Sequence, residues 1–250
     1  EALERCVCRQ RGLFQQASAS ATHRQDVRAQ SIGRRSRDHR PDIGRKVTHT
    51  YFPTTAVVTL HHVLQDCFSA EVAIIGREGV VGLGAMFDDR PSADRAVVLQ
   101  GGQALRIDKR ALKWEFFHSP ELQQVLVQYT YALMGLVAQT AVCNRHHRLD
   151  QRLCRWLLAA QDRLPSNRLA VTQEFLSHLL GVRREGVTQA AGRLQKSGLI
   201  QYRRGQVSIL DRNGLEAGAC ECYKTSRDAV GVPRSNGHAP QAFVRAAMSA

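Results

Sequence analysis

Residues 171–188 read Val-Thr-Gln-Glu-Phe-Leu-Ser-His-Leu-Leu-Gly-Val-Arg-Arg-Glu-Gly-Val-Thr, and almost every position in the stretch suits two short helices crossing at a tight turn. Thr172 precedes the first apolar-periodic residues, where a hydroxyl can cap the opening amides of a helix. Leu176 and Leu180 fall four apart and face one side. Ser177 is small where a second helix has to cross. Gly181 occupies the turn, a place for a left-handed backbone that a side chain disfavours. Val182, Val187 and Ala190 then supply the inward positions of a second helix over about 184–197. The pattern predicts a helix-turn-helix.

The second helix of such a motif carries its readers at its N-terminal end. Arg183, Arg184, Glu185, Thr188 and Gln189 stand there. Arg can donate twice to guanine, Glu can accept from the cytosine amino group, and Gln can pair with adenine. Behind the helix, Gly198-Leu-Ile-Gln-Tyr202 and Gln206-Val-Ser-Ile-Leu210 alternate as strands and are joined through Arg203-Arg-Gly205. This predicts a hairpin, or wing, whose Arg203 and Arg204 contact phosphate without reading sequence. The formal charge of +13 on 250 residues agrees with a polyanionic partner.

Upstream, Asp150 to Leu164 predicts a helix closed by Pro165-Ser-Asn167. Before it, Ser119-Pro120 starts a long helix, with Leu122, Val125, Leu126, Tyr129, Leu133, Leu136, Val137, Thr140 and Cys143 at three- and four-residue spacing. A helix of this length beside a small β-unit is expected to pair with a copy of itself. Its most apolar part, Val125 to Cys143, is broken by Gln128, Thr130, Gln139 and Thr140, so no membrane-spanning segment is expected. Glu1-Ala-Leu-Glu-Arg carries no apolar signal core.

From Val47 to about residue 118 the chain offers short β-like runs: Thr50-Tyr-Phe, Ala56–Leu60, His62-Val-Leu, Glu71–Ile75, Arg95–Gln100 and Gln103–Ile107. Turn signals at Pro53, Gly76, Gly79, Asp88-Asp-Arg-Pro91 and Gly101-Gly102 separate them. An antiparallel roll or sandwich follows, closed by a short helix at Ala111 to Phe117. The expected fold class is α+β, divided as 1–46 (basic, disordered or divergent), 47–118 (β-roll), 119–149 (dimerisation helix), 150–223 (winged helix) and 224–250 (disordered tail). The first segment, rich in Arg, Gln and Ser, cannot bury much apolar surface and is expected to be mostly disordered or loosely attached.

Seven cysteines suit an intracellular chain. Cys6-Val-Cys8 and Cys220-Glu-Cys222 are C-x-C pairs, a spacing with little room for the usual turn between zinc ligands, and no metal is expected. Cys143, His146, His147 and Asp150 form the most enzyme-like cluster, because residues three and four apart share a helix face. No second acid–base pair or Gly-rich loop accompanies it, so no catalytic residue is assigned; the histidines could instead tune a hinge by protonation.

From about His49 to Tyr223 the chain resembles the Crp/Fnr family of bacterial transcription regulators, most closely across 171–188 and Leu194-Gln-Lys-Ser-Gly-Leu-Ile200. The resemblance implies a cyclic-nucleotide-binding-like β-roll, a dimerisation helix and a winged helix-turn-helix. It also implies a non-enzymatic, cytoplasmic homodimer that binds double-stranded DNA, a role compatible with an RNA polymerase contact. Arg184 and Glu185 match the family's paired base readers, and Gln189 stands where a third reader is often Arg. Arg183 and Gly186 stand where hydroxyl side chains are common.

In family members that bind cyclic nucleotides, a Gly-Glu-Leu turn holds the ribose and a later Arg holds the phosphate. Here Gly82-Leu-Gly-Ala85 puts Leu83 in place of the acid, while Arg95 before Ala96 remains. Gly82 and Arg95 are thus the ligand-binding candidates, and Leu83 argues against ordinary cyclic AMP binding, since losing a hydroxyl partner costs about 1–3 kcal/mol. No cofactor is assigned. A second reading makes the roll a small-molecule or protein-binding module with a vestigial DNA domain; it predicts that Arg184 and Glu185 have no effect on DNA binding.

Overall fold

The computed structural model describes residues 28–32, 46–64, 69–88 and 94–232. The chain starts with β1 (Arg28–Ile32), β2 (His49–Pro53), β3 (Val57–Val63) and β4 (Ser69–Ile75), followed by a 3-10 turn at Leu83–Met86. β5 (Asp94–Gln100) and β6 (Gly102–Asp108) complete two three-stranded sheets, ordered β1-β6-β2 and β4-β3-β5. Every pairing between strands in them is antiparallel.

Two of the expected strand runs, Ala56–Leu60 and His62–Leu64, form one strand. A register shift between Leu60 and His61 absorbs the break in alternation, as a bulge does. Strand β1 corrects, for Arg28–Ile32, the expectation that residues 1–46 are mostly disordered or loosely attached. It pairs with β6 from Arg28 opposite Arg106 to Ile32 opposite Gly102. A five-residue strand held by main-chain bonds to a partner over seventy residues away leaves little trace in local composition. The rest of 1–46, apart from Lys46, lies outside the described residues.

Helix α1 (Lys109–His118) is opened by Asp108, whose carboxylate accepts from the Arg110 amide. Helix α2 (Pro120–His146) follows, capped by Ser119 with Pro at its start, as expected. Leu122, Leu126 and Tyr129 pack with Phe52, Ile107 and Leu112 of the roll. The Tyr129 hydroxyl donates to the Val80 carbonyl at 3.1 Å. By length and composition alone α2 is apolar enough to cross a membrane, its best window having a mean hydropathy of 1.3, a property that helices packed in a protein core share. The Gln and Thr residues that interrupt the run are outweighed because the window has few charges. Some of their polarity is met internally: Thr130 donates back to the Leu126 carbonyl at 2.8 Å.

After α2 come α3 (Leu149–Gln161), β7 (Arg168–Ala170), α4 (Gln173–Leu180) and α5 (Arg184–Lys196). Strands β8 (Ile200–Arg203) and β9 (Gln206–Ile209) join β7 in a sheet ordered β7-β9-β8. Helices α6 (Arg212–Gly218) and α7 (Cys222–Ala229) end the described chain. Helix α7 and the buried Val230 and Val232 correct the expectation of a disordered tail from residue 224. The two valines pack with Val58, Ala73, Ile75 and Leu136; two residues at that spacing give no periodic signal in sequence. Residues 233–250 lie outside the described residues.

The largest apolar cluster joins the two halves. Trp156, Leu157 and Leu158 of α3 and Leu176, Leu179 and Leu180 of α4 share it with Val57, Ile74 and Leu99 of the β4-β3-β5 sheet. Two polar contacts cross the same boundary. Trp156 donates to the Glu71 carboxylate at 2.9 Å, and Arg163 pairs with Glu78 at 2.6 Å. The Glu78–Arg163 side chains are each only 7% exposed, so each charge depends on the other to offset its desolvation.

Candidate nucleic-acid interface

The geometry of the helix-turn-helix follows from its caps. The Thr172 hydroxyl accepts from the Phe175 amide at 3.1 Å. Gly181 ends α4 with φ 60° and ψ 41°, and its amide bonds to the Ser177 carbonyl. This left-handed residue swings the chain into Val182, half-buried against the core, and then into α5. Val187 and Ala190 are completely buried, which fixes the rotation of α5 about its axis. The opposite side therefore faces solvent, and Arg183, Arg184, Glu185, Thr188 and Gln189 are all exposed on it.

Those five candidates differ in role. Arg183 is the N-cap residue of α5, with no side-chain capping bond. Arg184 and Glu185 occupy the first helical turn. The Thr188 hydroxyl donates to the Gln173 side chain of α4 at 2.8 Å, so it braces the two helices against each other. Sequence reading missed Gln173 in this brace, since only the crossing angle brings residues fifteen apart together. Gly186 sits in tight packing: a Cβ there would lie 3.2 Å from Leu149 Cδ2. A side chain there would require Leu149 to shift by a few tenths of an ångström.

Two further contacts tie the motif to its neighbours. Arg193 forms a two-pronged pair with Asp150 of α3 at 2.7 and 2.9 Å. Tyr202 on the wing donates to the Val171 carbonyl at 3.0 Å. The wing tip turns on Arg204 (φ 49°) and Gly205 (φ 75°), two consecutive left-handed residues that match the twist of the strands they connect. Arg203 and Arg204 are exposed at this tip.

The enzyme-like cluster disperses in the fold. Asp150 is committed to Arg193 and His146 is exposed, while Cys143 and His147 turn toward Cys220 and Cys222. The two ligand candidates of the roll lie apart in the architecture. Gly82 lies beside β2, where the Thr50 hydroxyl donates to its carbonyl at 3.3 Å. Arg95 is on β5 of the other sheet, opposite His61. Leu83 is 8% exposed and packs with Val80, Met86 and Phe116, so the position of the expected ribose-binding acid belongs to the core.

Residues 151–217 match the model of the Crp-like helix-turn-helix domain. The fold is shared with solved regulators over most of the chain. A transcriptional regulator of the Crp/Fnr family from Eubacterium rectale is 16% identical with a TM-score of 0.63, over 82% of this chain and 93% of that one. The chain therefore carries a Crp-like helix-turn-helix domain within the fold of the Crp/Fnr regulators. FixK2 from Bradyrhizobium japonicum is 14% identical with a TM-score of 0.63, over 78% of this chain and 98% of its own. A Crp/Fnr regulator from Thermus thermophilus is 19% identical with a TM-score of 0.60, over 78% of this chain and 98% of its own. No curated protein sequence matches the chain. The Crp/Fnr family is one of DNA-binding regulators and is not enzymatic.

Proposed function

We propose that this chain is a Crp/Fnr-type regulator that reads a two-fold symmetric DNA site as a cytoplasmic homodimer, with α5 in the major groove. The observation that carries the reading is the exposed N-terminal end of α5, where Arg183, Arg184, Glu185 and Gln189 project from a helix whose other face is locked into the core. Arg184 and Glu185 read bases and Gln189 sets the third position. Arg183, with Arg203 and Arg204 on the wing, contacts phosphate. Thr188 positions α5 through Gln173. The roll takes no cyclic AMP in the ordinary way, because Leu83 faces the core in place of an acid.

Helix α2 supports the dimer. Val127, Tyr131, Met134 and Val142 are exposed along it by 53–79%, and Ala138 continues the line. The 127–131–134–138 spacing alternates four and three, as in a coiled-coil seam, and such a stripe is buried most simply by the same stripe of a second copy.

The test is selection of duplexes from a random pool with the full chain at several salt concentrations, beside Arg184→Ala. A symmetric enriched site, relaxed in the variant, is the expected result. Salt-sensitive binding with no enriched sequence would leave only nonspecific attraction of a basic chain for polyanions and would overturn the reading.

A further inference from the structure

Where α2 ends, the fold assembles four metal-ligand side chains that are scattered in sequence. Cys143 is on the last turns of α2 and His147 is its C-cap residue. Cys220 lies between α6 and α7, and Cys222 opens α7. Their ligand atoms all fall within 4.8 Å of one another. The Cys143 and Cys220 sulfurs are 3.6 Å apart, and the Cys222 sulfur is 3.5 Å from His147 Nδ1. Bonds of about 2.3 Å to sulfur and about 2.0 Å to nitrogen around a tetrahedral ion place neighbouring ligand atoms about 3.5–3.8 Å apart.

We propose that Cys143, His147, Cys220 and Cys222 bind one tetrahedral divalent ion of the zinc class, a structural Cys3His site that clamps the DNA-binding domain to the end of the long helix. The surroundings fit that assignment. His147 Nε2 faces the Glu221 carboxylate at 3.2 Å, which leaves Nδ1 as the coordinating nitrogen and supplies the outer carboxylate that metal-bound histidines commonly have. The Gln139 amide donates to the Cys222 sulfur at 2.9 Å, a bond that favours a thiolate. All three cysteines are buried, Cys143 and Cys222 completely.

Three thiolates and one neutral imidazole around a divalent ion carry a net negative charge. Arg152 and Arg155 of α3 are buried, each with an Nε lacking a hydrogen-bond partner, and both act electrostatically on the Cys143 sulfur. Their charges find compensation in a thiolate site. Softness of the donors selects zinc-class ions over magnesium or calcium. The compact cage suits one ion, whereas an iron–sulfur cluster, with several metal and sulfide atoms inside it, needs a wider one. With four protein ligands the site is closed, as structural zinc sites are.

The ligands lie on either side of the DNA-binding domain in sequence, so the ion fastens both ends of that domain at the hinge after α2. The Arg152 guanidinium also donates to the Leu180 carbonyl at the end of α4, which connects the site to the helix-turn-helix turn.

The experiment uses the full chain, purified under reducing conditions, with Zn²⁺ content measured per chain and Co²⁺ added to the metal-free protein. The expected result is one ion per chain and the intense absorption of four-coordinate, thiolate-bound cobalt. That absorption should be lost in Cys220→Ser and Cys222→Ser, weakened in His147→Ala, and kept in Cys154→Ala, which changes a buried cysteine outside the cluster. Should the serine variants fail to fold, wild-type protein alone decides: Zn²⁺ should raise its Tm and protect three thiols from alkylation. A folded, reduced chain that takes up neither ion, or cobalt absorption that survives Cys220→Ser with Cys222→Ser, overturns the site. So does a Cys143–Cys220 disulfide whose reduced form binds no metal.

Discussion

The winged helix and the β-roll were unequally visible in one sequence, and the reason is range. In the winged helix each constraint meets its partner a few residues away: Thr172 caps Phe175, Gly181 turns between α4 and α5, and Arg204-Gly205 joins β8 to β9. In the roll the deciding contacts are distant. Strand β6 lies between β1 and β2, and Val57 pairs across the sheet with Gln100. A local pattern can be read from residue types, whereas a long-range pairing is specified only by the collective burial of faces. The contrast matters for function, because the element that reads DNA belongs to the first class and any element that senses a signal belongs to the second.

The core that the two regions share is where this contrast is most exposed to test. Leu157 is completely buried in the cluster that includes Val57, Ile74 and Leu99 of the roll, so Leu157→Ala should cost about 2–5 kcal/mol. Urea unfolding followed by a probe in each region should show both transitions moving together. Movement of the winged-helix transition alone would make the two regions independent.

The next effect is a pH dependence at the same boundary. Burial pushes the Glu71 carboxyl up to about 7, against the hydrogen bond from Trp156 and the charges of Arg155 and Arg163. Burial, with Arg95 and His178, lowers His61 to about 4. Glu71 binds its proton more tightly in the folded state, so its contribution is fully present below about 4.5 and lost as pH rises through about 7. His61 works in the opposite sense: its contribution is present above 6.5 and lost as pH falls through about 4. Glu71→Gln should therefore gain stability relative to wild type between about pH 5 and 8, by at most about 3 kcal/mol. Parallel Tm profiles for the two proteins across that range would sink the assignment.

Within the winged helix, two arginines should separate reading from holding. Arg184→Ala is expected to lose about 1–3 kcal/mol of discrimination at one base position. Arg204→Ala should weaken all duplexes alike and lower the salt slope by about one. Titrations against the selected site and a scrambled one, at several salt concentrations, make the distinction. The smallest effect is Thr172→Ala, which removes a cap bond worth about 1 kcal/mol, read as a modest fall in Tm with base preference unchanged.

Much of the interface was therefore legible before any coordinates: the cap, the turn, the inward Leu176, Val187 and Ala190, and the basic wing. The four-ligand cluster was not. Cys220-Glu-Cys222 by itself has an unpromising spacing, and the Cys143 and His147 that complete the set lie on the far side of an entire domain. The signal present was an i, i+4 Cys–His pair ending one helix and a C-x-C opening another, but nothing in the chain order says that these ends meet.

Residue order alone was enough for the helix-turn-helix, the exposed side chains that open α5 and the periodic helix before it, because those features rest on neighbours within two or three turns. The folded chain had to show that residues 28–32 edge the roll, that Val230 and Val232 pack as core, that Leu83 is buried where an acid was expected, and that three cysteines and a histidine converge. Each of these depends on surfaces from separate parts of the chain being buried together, and burial is a property of the whole fold.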